Sequence, residues 1–238
     1  MSIQRNMFAS RSFLIFAVLA VFGQSNSVRG EGCVSGTLDI HNKYIKVLDK
    51  NAMGMIDSNR AVGIRLIEKI RGCKKNNKLD AFLKHYEKEI KFCDEIINGM
   101  KDGVQREVNS VSEILKHMEC TKKRTFFDNV FGGLESLIKK LPIVGNFLDP
   151  ILKKLHVAVN RILQGVLDLL TSLLKLLLGS VDGKFVCRKA DEKTCKGVDK
   201  HFDNIGSIIT KTKLKYNDCL KRKESELERS QEFKAVCS

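Results

Sequence analysis

Three long stretches of this chain repeat apolar residues at alternating intervals of three and four, the spacing that gathers side chains on one face of an α-helix. The longest runs Leu79, Leu83, Tyr86, Ile90, Cys93, Ile97, Met100, Val104, Val108, Val111, Leu115, Met118, slipping phase only between Val104 and Val108. At 1.5 Å per residue, an unbroken helix over 79–119 would be roughly 60 Å long. Gly99 and Gly103 mark the place near its middle where the pattern predicts a bend or break. A less regular stripe precedes it, through Ile40, Tyr44, Val47, Leu48, Ala52, Met55, Ile64, Ile67 and Ile70, and the polar stretch 72–78 reads as the turn between them. The third stripe is Val198, Phe202, Ile205, Ile209, Thr212, Tyr216, Cys219. Its continuation over 221–229 is almost wholly charged and reads as a solvated helix tied down by Cys237. Only 2 of the 238 residues are proline, so few positions force a helix to stop, and 7% aromatic content is poor material for a β-sandwich.

The middle of the chain differs from both flanks. Pro142 and Pro150 both fall there and mark a pair of short helices joined by turns within 125–150. Over 151–178 the heptad set Leu152, Leu155, Val159, Ile162, Val166, Leu169, Leu173, Leu176 is unbroken, and Leu163, Leu167, Leu170, Leu174, Leu177 and Leu178 widen it. Lys154, Arg161, Gln164, Asp168, Thr171 and Lys175 keep one edge polar. Lys153, Lys154, Arg161, Asp168 and Lys175 argue against a membrane span, because each is costly at a bilayer centre. Two readings remain. In the first, 151–178 is the long apolar central helix of a bundle, wrapped by 38–70, 79–119 and 198–228. In the second, Leu155, Val159, Ile162, Val166, Leu169, Leu173 and Leu176 line a lipid cavity or lie on a membrane, where Lys139, Lys140, Lys153 and Lys154 would favour anionic lipid.

The N-terminus carries an address. Arg5 and Arg11 precede the apolar run Phe13 to Phe22, and small and polar residues follow. This is the pattern of a secretory signal peptide over 1–23, with cleavage at about Gly23 or Ser27, too short to span a bilayer. The chain ends Lys234-Ala-Val-Cys-Ser, with no retention or lipid-anchor signal, so the expected location is extracellular. All eight cysteines, Cys33, Cys73, Cys93, Cys120, Cys187, Cys195, Cys219 and Cys237, lie beyond the signal. An even set in an exported chain reads as a disulfide framework, and no Cys-x₂₋₄-Cys pair offers a zinc site. The cysteine-free stretch between Cys120 and Cys187 favours pairing within each group of four. Cys93 and Cys219 fall on apolar stripes, which suits staples between packed helices. The expected architecture is a signal peptide followed by one all-α, disulfide-stapled helical domain over 24–238, with sub-regions 33–120, 121–186 and 187–238.

Chemistry is thin. The sequence contains no Gly-x-Ser-x-Gly elbow, His-Glu-x-x-His pair, Gly-x-Gly-x-x-Gly loop or calcium-loop pattern. His41, His85, His117, His156 and His201 are scattered without metal-ligand spacing. We therefore expect no enzyme, no metal and no cofactor. No Asn-x-Ser/Thr sequon occurs. The net charge is +14, with basic clusters at Lys122-Lys123-Arg124, at Lys211, Lys213 and Lys215, and at Lys221-Arg222-Lys223. Export and the lack of base-stacking aromatics argue against nucleic acid, which leaves an extracellular protein receptor or a polyanion, a glycosaminoglycan or anionic lipid, as partners for these nine residues. The alternative is a solvated helix face with interleaved acids.

A short signal, a mature chain of this size, scattered even cysteines, Lys-rich amphipathic helices and no catalytic motif together resemble the small exported helical proteins of arthropod saliva and haemolymph. The resemblance covers the whole chain in style and rests on no diagnostic motif. It implies a secreted, non-enzymatic protein that binds a host receptor, an immune or haemostatic component, or a small hydrophobic ligand. The lead expectation is a host-directed interaction protein acting through the basic clusters. The alternative is a lipid carrier or membrane-active protein acting through 151–178.

Overall fold

The computed structural model describes residues 34–73, 78–123, 149–181, 184–187 and 191–237; the signal peptide, Cys33, Arg124 and the short helices expected within 125–148 lie outside these residues. In chain order the elements are α1 (Val34–Arg71), α2 (Leu79–Phe92), α3 (Asp94–His117), β1 (Cys120–Lys123), α4 (Pro150–Val181), β2 (Lys184–Cys187), α5 (Glu192–Arg229) and α6 (Gln231–Cys237). Each apolar stripe is helical, the longest as two helices in succession, and the protein is an all-α bundle at the level of its core.

The longest stripe divides at Cys93, not at the glycines. There the backbone tightens: Cys93 N–H donates to the Ile90 carbonyl at 3.0 Å and Ile96 N–H to the Cys93 carbonyl at 3.1 Å, both three residues back. Gly99 faces open space, and a Cβ at Gly103 would only touch Ile208 at 3.4 Å. Neither glycine breaks the helix, because packing through Ile97, Met100 and Val104 holds it on either side. The apolar side stays continuous across the joint, with Phe82, Tyr86, Ile90, Cys93, Ile97 and Met100 all buried.

Helix α4 begins where Pro150 sits at its first position and Asp149 Oδ1 accepts from Ile151 N–H at 2.8 Å, which satisfies an otherwise orphaned donor. The side packed into the core runs Leu152, Leu155, Val159, Ile162, Leu163, Val166, Leu167, Leu170, Leu173, Leu174, Leu177. Leu169 and Leu176, expected on the central stripe, are only half-buried. A straight helix at 3.6 residues per turn drifts off a strict seven-residue repeat, so the buried line passes from Val166 to Leu170. By length and composition α4 could cross a membrane. Its apolar side is instead part of the single core cluster.

Paired residues give the helix directions. Asn59 meets Tyr216 and Arg65 meets Glu224, so α1 and α5 run parallel. Cys93 bonds Cys219 while Glu107 meets His201, so the α2–α3 unit runs antiparallel to α5. Asp80 meets Lys154 and Glu87 meets Arg161, so α2 runs parallel to α4. α1 and the α2–α3 unit each pack on both α4 and α5, whereas α4 and α5 make at most glancing contact. The result, among the described residues, is a four-cornered bundle in the order α1, α4, α2–α3, α5. Gly63 lets α1 approach α4 closely, since a Cβ there would fall 2.7 Å from Val159 Cγ1. β1 and β2 pair antiparallel, with Cys120 opposite Cys187 and Lys123 opposite Lys184. The all-α sequence reading missed this ribbon because four residues per strand are too few to show alternation.

The disulfides overturn the expectation of pairing within each cysteine group. Cys73 bonds Cys237 across 164 residues, and Cys93 bonds Cys219 across 126. Both cross groups because the C-terminal helices fold back along α2–α3; Phe233 of α6 packs edge-on against Phe82 at 5.6 Å. The pairing of Cys93 with Cys219 does fit their place on the two apolar stripes. Cys195 is also disulfide-bonded, and no cysteine is free among the described residues. Such bonds persist in oxidising compartments, which agrees with an extracellular protein.

Candidate interaction surface

The basic clusters on α5 acquire their meaning from how that helix is seated. Its start is fixed by Asp191, whose Oδ1 accepts from Thr194 N–H at 2.8 Å while its Oδ2 accepts from the Thr194 hydroxyl at 2.7 Å. One side then buries Val198, Phe202, Ile205, Ile209, Thr212, Tyr216, Cys219, Leu220 and Leu227. The burial of Leu227 corrects the expectation of a merely solvated tail over 221–229. That segment is packed on its neighbours through its acids.

Glu224 takes a two-pronged contact from Arg65 of α1, with Nε at 2.5 Å and Nη2 at 2.6 Å, and Glu228 meets Lys69. Lys223, expected as part of an open basic surface, turns instead into the seam with α2. Its Nζ donates to Glu89 at 2.5 Å and to Glu226 at 2.8 Å and lies 5.0 Å from the Phe92 ring centre. The hydrogen bonds to Glu226 and Glu89 hold the Lys223 ammonium above its ordinary range, and the Lys223 bond holds Glu89 below its own. Lys213 lies across α1, where a Cβ at Gly54 would fall 2.6 Å from its Cε.

Lys211, Lys215, Lys221 and Arg222 are exposed on the side of α5 turned away from the bundle. Arg222 reaches Glu226 at 3.9 Å; Lys211, Lys215 and Lys221 have no acidic partner among the described residues. Lys122 and Lys123 lie on β1, opposite Phe185 and Lys184 respectively. The structure thus sorts the nine expected residues: four face outward on α5, Lys213 and Lys223 serve packing, two sit on the ribbon and Arg124 lies outside the described residues. Sequence reasoning missed Leu214, which is 60% exposed among these lysines. Its signal was an apolar residue out of phase with the Ile209, Thr212, Tyr216 stripe.

The interior holds a second polar feature that the stripes concealed. Asn59 Nδ2 donates to Tyr216 Oη at 2.7 Å in the bundle core, and both residues are fully buried. Burial, opposed by this hydrogen bond and reinforced by the Asp94 carboxylate, pushes the Tyr216 phenol up. Asp94, in the first turn of α3, is itself buried, with its Oδ2 facing Gly165 of α4. Desolvation pushes its carboxyl up to about 6, against the opposing pull of Lys91. Asn59 Oδ1, Tyr86 Oη and Asp94 Oδ1 find no hydrogen-bond partner among the described residues.

His201 Nδ1 lies 2.7 Å from Glu107 Oε2, which also accepts from Asn204 at 3.2 Å. This is a half-buried link between α3 and α5. Among the described residues no three His, Cys, Asp or Glu side chains group as a metal site. Comparison with protein-family profiles, curated proteins and solved structures finds no match to this chain.

Proposed function

We propose that this is a secreted, non-enzymatic interaction protein, a host-directed effector of the kind found in arthropod saliva, that binds an extracellular partner through the outer face of α5. The observation that carries this reading is the sorting of charge on that helix. Over 211–229 it holds seven basic and four acidic residues. Glu224, Glu226 and Glu228 are taken up by the bundle's own ion pairs, while Lys211, Lys215 and Lys221 point outward without acidic partners among the described residues. A helix that engages three of its four acids in ion pairs and leaves Lys211, Lys215 and Lys221 on an outer face shared with the exposed Asp218 is complementary to a predominantly acidic partner.

A second reading, a carrier of lipid or another hydrophobic ligand built on α4, is favoured by that helix's length and apolarity and by Val157, which is 46% exposed on its outer edge. Native mass spectrometry of the oxidised mature protein, with organic extraction of what co-purifies, separates the two. The expected result is an empty protein with every cysteine oxidised. A discrete bound lipid would replace the first reading with the second.

A further inference from the structure

Among the four large hydrophobic residues that stand exposed in the described structure, Leu214 is the most open, at 60%. Phe92 has the Lys223 ammonium over its ring; Leu214 has no such cover, because Lys213 beside it lies on Gly54 instead. One helical turn away on the same face are Lys211 and Asp218, with Lys215 adjacent and Lys221 two turns on, all exposed. An apolar centre ringed by long polar side chains is the anatomy of a protein-binding hot spot, in which the rim excludes water from the anchor.

Resting on the reading of α5 as the contact face, we propose that its partner is an acidic protein surface with an apolar pocket that receives Leu214. A sulfated polysaccharide offers anions along its length and nothing for a leucine to enter. An anionic membrane would call for a broad apolar stripe beneath the lysines. Here the stripe is a single residue, and Asp218 lies one turn from it, where anionic lipid would repel it. A protein surface accommodates both, since it can set one basic group against Asp218 and acids against Lys211, Lys215 and Lys221.

The test uses the oxidised full-length mature protein and four probes: two synthetic peptides of equal length and charge, one a Glu-Ser repeat and the other with Leu replacing every second Ser, together with heparin and phosphatidylserine vesicles. Titration calorimetry should show the leucine-bearing peptide binding about ten-fold tighter than its apolar-free twin, the factor expected for partial burial of one leucine. Leu214→Ser should erase that preference, and Lys211→Glu with Lys215→Glu should weaken both peptides. All three positions are exposed, so the far-ultraviolet circular dichroism and melting temperature should not move. Equal binding of the two peptides, or heparin or vesicle binding that exceeds both and ignores Leu214→Ser, would overturn the proposal and leave the α5 reading standing. Binding untouched by the charge reversals, or none to any probe, would bring down the α5 reading and the proposal with it.

Discussion

Helices α4 and α5 stand at opposite corners of the same bundle and solve opposite problems. Both are long, at 32 and 38 residues, and both present a buried line to the same core. In α4 that line is wide: Leu163, Leu167 and Leu174 are buried beside the main row of Leu155, Val159, Ile162 and Val166, and the outer edge is left with a narrow band of polar residues and the exposed Val157. In α5 the buried line is narrow, and charged residues occupy much of the remaining circumference. A helix of the first kind has its surface used up by the fold. One of the second kind keeps a face to spare, and its acids and bases can be divided between the bundle and the outside.

The largest effect that tests this contrast comes from placing the same charge on each helix. Leu173 of α4 is fully buried and Leu214 of α5 is 60% exposed. Leu173→Asp should cost about 4 kcal/mol or more, through lost burial and an unpaired charge in the core, and Leu214→Asp should stay within about 0.5 kcal/mol. Urea unfolding of the two variants measures both. Comparable losses would mean that α5 has no free face and would erase the distinction between the corners.

Much of this was legible in the sequence, because a stripe of period 3.6 is a direct statement about burial. The stripes located all four long walls of the bundle, and the positions of Cys93 and Cys219 on them marked a staple. Which cysteines pair was not legible, since pairing depends on the direction of each helix and periodicity carries no direction. The same limit hid the sorting of the lysines. Lys221 and Lys223 are the same residue two positions apart, yet one is exposed and the other retains 14% of its side-chain exposure between Glu89 and Glu226. Only the neighbouring helix decides between them. Asn59 did leave a trace, as a polar residue between Ile56 and Val62 on a buried side, and Asp94 left none beyond its place after Cys93.

The buried Asp94 sharpens the comparison from the inside, because it puts a titrating group on the core side of the bundle while the charged groups of the outer α5 face stay in water. Its carboxyl moves from an ordinary 3.8 up to about 6 in the folded protein. The folded state therefore holds the proton more tightly than the unfolded chain, and stability from this group is full below about pH 4 and is lost as pH rises through 6. The shift corresponds to roughly 3 kcal/mol at pH 7, and the favourable position of a carboxylate in the first turn of α3 offsets up to about 1 kcal/mol of what neutralising it would gain. Asp94→Asn should then stabilise the protein by about 2 kcal/mol at pH 7 and by nothing at about pH 4, read from urea midpoints across that range. A variant less stable than the parent at pH 7 would show that the ionised carboxylate is held by partners in the core.

The smallest effect bears most directly on the division of charge along α5. Glu224 keeps 12% of its side-chain exposure and receives both prongs of the Arg65 guanidinium, whereas Lys215 is exposed and has no acidic partner among the described residues. A two-pronged pair at a half-exposed seam contributes about 1 kcal/mol, more than an ordinary surface ion pair because the fork fixes its geometry. Glu224→Gln should lower the melting temperature by about 2–4 °C, the shift that 1 kcal/mol makes in a domain of this size, and Lys215→Gln should leave it unchanged. The loss from Glu224→Gln should shrink in 1 M salt, where the screening length falls to about 3 Å. If Lys215→Gln destabilised the protein as much as Glu224→Gln, the outward lysines would belong to the fold. The free face of α5 would then shrink to Leu214 alone, and a basic contact surface there would lose its physical ground.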